Sequence, residues 1–351
     1  MTSDKGRLSY LDVLRIIACF LVILNHTPGY IACFDYDAGT PILLVFWHLF
    51  VGMLVKVNVP IFYMITGTLM LNKDIRTDAL MKKTCKFFVI LLVFSLIANV
   101  ANKGYLYLPG FIRTFASADV DGAGPYWYLY AYIGILLMAR FMRYVTEKIT
   151  LRDVYYLIVM RTVITGIIPM VFLFLNKVLD SNIHLASEFE PVIFTVDCVF
   201  YPVVGFGLDR KLDVRALGGW KIRTVTAAFL LANLLECALT YFDGPENVFR
   251  GYDFLITISL FLIVKYYITV RPLPESVARA AALVSSLTLG IYLTEPIVGN
   301  FLKPLVHRMH PAVPSLLLVS VIYCVIAMTV CGTMTFCYEV LKRLVAAQNR
   351  R

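Results

Sequence analysis

Asp12, Arg15 and His26 are ionisable residues inside the first long apolar run of the chain. A charge within a bilayer is costly, so such residues normally face protein or water and mark a path for substrate or ions. The eleven positions from Arg15 to His26 turn a helix through about 1100°, some 20° past three full turns, so the two share one face. Asp12 lies one helical turn before Arg15, where its carboxylate can meet the guanidinium. Along the axis His26 sits about 16 Å beyond Arg15. One polar stripe therefore runs from near one membrane face, at Arg15, into the opposite half, at His26.

That stripe combines a base with a fixed cation. A neutral imidazole, with an ordinary pKa of about 6.5, can take a proton from an alcohol, so His26 suits general-base work on a hydroxyl. A guanidinium never gives up its charge and suits binding a phosphate or fixing a dipole, while Asp12 is read as positioning Arg15 rather than reacting. The same residues also fit a plain structural role, with Asp12 and Arg15 as an ion pair near the membrane surface and His26 as a helix cap.

The elements that must hold the stripe are membrane helices. Of 351 residues, 60% are apolar and 16% charged, against about 25% charged in soluble domains. Apolar runs of roughly 20 residues, enough to cross a bilayer, recur near 9–30, 42–71, 84–101, 126–144, 154–176, 191–209, 222–242, 253–271, 279–302 and 314–341. The expectation is an all-α polytopic bundle of about ten transmembrane helices. Residues 1–345 form one membrane domain, and 346–351 a short basic cytoplasmic tail. No small-residue cleavage site follows the first run, where Asn25, His26, Thr27 and Pro28 stand, so it reads as a retained helix.

Placing both termini in the cytoplasm puts 22 of the 32 Lys and Arg on the inside, six outside and four within spans. The positive-inside rule selects that orientation, and the net charge of +9 then reflects topology rather than nucleic acid as a partner. The eight cysteines are scattered, without CxxC pairs or metal-like spacing, and read as core fillers; no metal site is expected. The run from Pro41 to Leu71 is too long for one straight crossing and holds Lys56, Asn58 and Pro60, so it reads as a half-helix joined to a true crossing. Segments 102–125, 177–190 and 243–252 mix Gly, Pro, Asp and aromatics, as a loop-built mouth would. No internal repeat of the secondary-transporter kind is visible.

Four stretches, in order, resemble the segments of the acyltransferase-3 family of integral membrane acyltransferases, which includes glycan O-acetyltransferases. The run Tyr10-Leu11-Asp12-Val13-Leu14-Arg15-Ile16-Ile17-Ala18, continued to His26, is similar to its Arg and His signature. Val59-Pro60-Ile61-Phe62-Tyr63-Met64-Ile65-Thr66-Gly67 resembles its second-helix motif, Trp127-Tyr128-Leu129-Tyr130 its aromatic motif and Gly290-Ile291-Tyr292-Leu293 its late motif. The resemblance implies transfer of an acyl group, usually acetyl from cytoplasmic acetyl-CoA, to a hydroxyl of a cell-surface glycan or its lipid-linked precursor. It implies His26 as base and Arg15 as the group assisting the donor, in a multi-pass protein of the bacterial plasma membrane. The chain departs from the family where Thr294 and Glu295 follow the late motif and where Pro125 precedes Trp127, positions at which histidines are common, so no family role is carried to them.

Beyond the stripe, Lys82, Lys83 and Lys86 could meet the phosphates of CoA, although positive-inside flanking explains them as well. Trp127 and Tyr128 fit either belt anchoring or stacking on a sugar. Glu295, beside Pro296, could serve as a second acid or base, contact substrate, or simply accept a hydrogen bond. Arg161, Asp197 and Glu236 lie within spans, where ion pairing among them is the first expectation and substrate binding the second. His48 reads as a packing histidine, and His184, His307 and His310 as loop residues. Two rival classes remain: a transporter or flippase of a glycan intermediate, and a membrane sensor whose catalytic residues have lapsed.

Overall fold

The computed structural model describes residues 8–27, 39–72, 76–189, 191–244, 248–308 and 313–348. In chain order its helices are α1 (Ser9–Asn25), α2 (Ile42–Val55), α3 (Asn58–Met70), α4 (Thr77–Lys103), α5 (Leu108–Ala116), α6 (Trp127–Lys148) and α7 (Leu151–Arg161). They continue with α8 (Ile168–Leu179), α9 (Val192–Thr195), α10 (Asp197–Arg210), α11 (Gly219–Asp243), α12 (Asp253–Val270), α13 (Glu275–Arg308) and α14 (Val313–Gln348). Among the described residues there is no strand. Large apolar side chains such as Val89, Leu231, Ile322 and Leu341 stand exposed along these helices. Apolar surface of that kind needs lipid for a solvent, and the chain is a multi-pass membrane protein.

Seven helical segments among the described residues are long and apolar enough to cross a bilayer, against the ten expected. The other three expected spans are helical but fall short: α1 has 17 residues and α10 has 14, while α6 is diluted by tyrosines and by Arg140 and Arg143. The run from Ile42 to Met70 is broken at Lys56 and Val57 into α2 and α3. The Asn58 carboxamide oxygen accepts the Val59 N–H there at 2.5 Å. Pro60 falls in the first turn of α3, where a missing N–H has no helical partner to lose.

The chain divides into two compact units. One gathers α1, α4 from Cys85 onward, α5, the start of α6 to Tyr130, α13 and α14. The other gathers α2, α3, the start of α4 to Thr84, the rest of α6 and α7 to α12.

In the second unit α3 and α10 cross backbone to backbone. A methyl group on Gly67 would run into the Pro202 carbonyl, and one on Gly205 would lie 2.5 Å from the Met64 carbonyl oxygen. Thr68 donates to the Gly205 carbonyl across this contact at 3.2 Å. Small residues permit such close approach between membrane helices, which gives the glycine ending the Val59–Gly67 motif a packing role. Helix α7 begins on a capping box formed by Thr150 and Asp153. It runs through a single π-helical stretch, Thr162–Ile167, into α8.

The buried charges of this unit are largely paired. The Arg161 guanidinium meets Asp197 at 2.5 Å and the Phe194 carbonyl at 3.1 Å, and lies among the rings of Phe200, Tyr201 and Phe254. Glu236 departs from the expected trio: it accepts the Tyr252 N–H at 2.7 Å, and the nearby cation, Arg250, pairs with Asp253 at 2.6 Å. Lys265 pairs with Asp209 at 3.1 Å. His48 is buried within α2. His184 is described in the loop after α8, whereas His310 and the side chain of His307 lie outside the described residues.

Gly67→Ala is expected to destabilise the protein by about 1–3 kcal/mol or more, because backbone must move to admit the methyl. Gly134, in α6 with open space at its Cβ, supplies the contrast: Gly134→Ala should be neutral or stabilising by about 0.5–1 kcal/mol. Thermal unfolding in detergent reads both, and equal effects would contradict the packing described.

Candidate active site

The polar stripe of α1 lies in the first unit. Asp12 is buried, at 3% exposure, and Arg15 is partly so. The Arg15 guanidinium stands 3.7 Å from the Asp12 carboxylate and donates to the Ser285 hydroxyl of α13 at 3.4 Å. One turn on, the Cys19 thiol approaches the Thr288 carbonyl at 4.0 Å. Contacts that advance together in this way mean that α1 and α13 run parallel, with the Arg15 face of α1 turned to α13.

His26 is the C-terminal cap residue of α1, half-buried, its N–H reaching the Val22 and Ile23 carbonyls. The helical repeat places position 26 on the α13 side of α1. Its height is marked by its neighbours. The Thr27 hydroxyl lies 3.8 Å from the Cys324 sulfur of α14, and the preceding residue of α14, Tyr323, donates to Glu295 of α13 at 2.8 Å. The His26 end of α1 is thus level with Glu295.

Glu295 is 3% exposed and doubly held, by Tyr323 and by the Lys303 ammonium at 3.3 Å. Glu295, Gly299 and Lys303 follow at intervals of four along one helical stripe. Gly299 is the gap through which the lysine reaches back: a Cβ there would sit 3.0 Å from the Lys303 Cε and 3.2 Å from the Glu295 Oε1. Pairing of this kind is what an acid within a membrane requires.

The aromatic and late motifs meet in the same unit. The Tyr126 hydroxyl donates to the Leu293 carbonyl, and the Tyr292 hydroxyl donates to the Pro125 carbonyl, a reciprocal brace. Pro296 explains part of it, since a proline opens the helical ladder over the preceding turn and leaves carbonyls there to be satisfied from outside. Tyr128 is half-buried and packs edge-on to Tyr292, with ring centroids 5.9 Å apart, whereas Trp127 is 45% exposed. Helix α5, within the segment read from sequence as loop, packs Phe111 and Phe115 beneath Tyr130, whose hydroxyl donates to the Phe115 carbonyl at 2.7 Å.

Asp12, Arg15, His26, Trp127, Tyr128 and Glu295 therefore all belong to the first unit, as does Lys86, which is exposed on α4. Lys82 and Lys83 belong to the second. Lys82 is exposed, but the Lys83 amine is drawn to the Met70 sulfur at 3.6 Å and lies over the Tyr132 ring. Sequence reasoning passed over Ser285, Tyr126, Lys303 and Tyr323. Only Lys303 left a signal, being two turns from Glu295 with a glycine between. The rest depend on contacts between distant segments.

A search of curated proteins and of solved structures found no match. One family model, described as an acyltransferase domain of the acyltransferase-3 type, matches residues 8–336. That range takes in α1 with Asp12, Arg15 and His26, both tyrosine-braced motifs and Glu295, and on it the chain belongs to the acyltransferase-3 family.

Proposed function

We propose that this membrane acyltransferase moves an acyl group, acetyl first of all, from cytoplasmic acyl-CoA to a hydroxyl of a cell-surface glycan or its lipid-linked precursor, with His26 as general base. The observation that carries the reading is the placement of the α1 stripe against α13, Arg15 bonded to Ser285 and the His26 end level with Glu295. In this reading both termini are cytoplasmic and α1, α6 and α10 also cross, ten crossings in all, as the distribution of Lys and Arg favours. The membrane is the bacterial plasma membrane.

The chemistry follows from the residue types. The acceptor hydroxyl gives its proton to the imidazole of His26 as its oxygen attacks the thioester carbonyl. The tetrahedral adduct collapses by breaking the carbon–sulfur bond, and the thiolate takes the proton back from the imidazolium. Ester and free CoA thiol are the products, and the base is regenerated. Arg15 remains charged throughout and is held by Asp12 and Ser285, so it can fix the donor or a developing negative charge without reorganising. Lys86, exposed in the same unit as the stripe, offers charge to the CoA phosphates. The exposed ring of Trp127 offers a stacking surface to a sugar, and Tyr128 is held beside it in the chain against Tyr292.

His26→Ala should lower release of CoA thiol in membranes supplied with acyl-CoA and glycan by about 100-fold or more, the usual weight of a general base, with protein amount and melting temperature kept. Thiol release at the parent rate would remove His26 from the chemistry, and glycan movement without any acylation would identify a transporter instead. Arg15→Lys keeps the charge but loses the planar fork. It is expected to raise the KM for acyl-CoA about tenfold, whereas an unchanged KM would mean that Arg15 does not serve the donor.

A further inference from the structure

Beyond Glu295 the first unit opens into a cleft of 520 Å³ between the ends of α4 and α13, whose lining includes Asn102 of α4 and Gly299, Phe301 and Lys303 of α13. Lys303 stands about 27 Å beyond Ser285 along the axis of α13, close to the roughly 30 Å of a bilayer's apolar core. The Arg15 contact and the cleft therefore lie toward opposite faces of the membrane. One wall is fixed by backbone. Gly122, with φ +74°, brings the loop after α5 against the end of α4, where a Cβ would meet the Asn102 Cβ at 2.7 Å.

The other wall holds a side chain that joins the cleft to a charge behind it. Lys303, with its side chain 27% exposed, lines the cleft, while its ammonium reaches the Glu295 carboxylate, 4% exposed, at 3.3 Å. Gly299 marks the place where they meet: a Cβ there would lie 3.0 Å from the Lys303 Cε, 3.2 Å from its Nζ and 3.2 Å from the Glu295 Oε1. The gap left by the glycine runs from cleft to carboxylate, and the lysine stem fills it. Among the described residues Glu295 is the one partner of that ammonium. Lys265 shows what a fixed membrane lysine looks like, with its side chain 7% exposed and its ammonium bonded to the Asp209 carboxylate at 3.1 Å and to the Leu208 and Asp209 carbonyls. Lys303 has no such cage, and its four-carbon stem lets the ammonium turn out to water at the membrane face. Glu295 is not stranded when it does. The Tyr323 hydroxyl still donates to it at 2.8 Å, and water admitted through the cleft serves the rest of the carboxylate. Both charges keep partners in either position, which is what a two-position element needs.

We propose that Lys303 is a gate. With its ammonium on Glu295 it shuts the cleft off from the interior of the first unit; turned out into the cleft, it opens a passage over Gly299 to the Glu295 carboxylate and the His26 end of α1. In naming that passage as the way by which an acceptor hydroxyl reaches the base, the inference rests on the reading given under Proposed function. The gate itself does not.

The test is carboxyl labelling of the full-length chain in phosphatidylcholine nanodiscs by a water-soluble carbodiimide with glycinamide, the rate at Glu295 being read by peptide mass spectrometry. Lys303→Ala should raise that rate about tenfold, as for a gate shut about nine-tenths of the time, and Lys303→Arg should keep it near the parent value. Gly299→Val added to Lys303→Ala should cancel the gain by filling the gap. Equal rates in the parent chain and Lys303→Ala, or a gain untouched by Gly299→Val, would overturn the gate. Movement of the lysine is read in the parent chain, which also serves if Lys303→Ala fails to fold: sulfosuccinimidyl acetate should acetylate Lys303 slowly but measurably, whereas a lysine that never reacts is a fixed partner and no gate. Labelling as expected beside thiol release that survives His26→Ala would sink the acyltransfer reading and leave the gate. Equal labelling rates beside thiol release abolished by His26→Ala would do the reverse.

Discussion

The contact of Arg15 with Ser285, backed by the buried carboxylate of Asp12, is the interaction on which the site depends. A guanidinium placed in an apolar helix must find partners within the protein or near water, and here it finds them on its own helix and on α13. That requirement turns one face of α1 toward α13 and sets the two helices parallel. Once the pair is in register at Arg15 and Cys19, the height of His26 is no longer free: it falls level with Glu295, where α14 closes the third side through Cys324 and Tyr323.

Around this contact, prolines and glycines act as devices rather than as interruptions. Pro296 opens the α13 ladder where Tyr126 and Tyr292 brace it to the aromatic motif. Gly299 leaves the gap that lets Lys303 reach Glu295. Gly67 and Gly205 let α3 and α10 touch through their backbones. Of the four family-like stretches, three meet in the first unit around α1 and α13, and the fourth holds α3 to α10 within the second.

The helical class, the multi-pass character and the pairing of Asp12 with Arg15 on α1 were legible in the chain because each rests on local periodicity and composition. The break before Asn58 was legible for the same reason, since a lysine, an asparagine and a proline stand together in an apolar run. The number of crossings was less so. Hydropathy windows join short helices to their flanks, and α10, at 14 residues, is shorter than the run that suggested it. What could not be read was pairing at long range. Tyr126 and Leu293 are 167 positions apart, and Arg15 and Ser285 are 270 apart; nothing in either segment points to the other. Glu236 shows the same limit. Its charge in a span suggested an ion pair with Arg161, yet that guanidinium is taken by Asp197 and an aromatic cage, and the acid instead caps the backbone ahead of α12.

Mass spectrometry of surface glycans from cells carrying the parent chain and from cells carrying His26→Ala, at matched protein levels, tests the central claim most directly. If the α1 stripe is the path of acyl transfer, a defined sugar carries the mass increment of one acyl group in the first cells and lacks it in the second, and the increment names the group. An increment that persists at equal stoichiometry with His26→Ala, or one absent from both, would contradict the account.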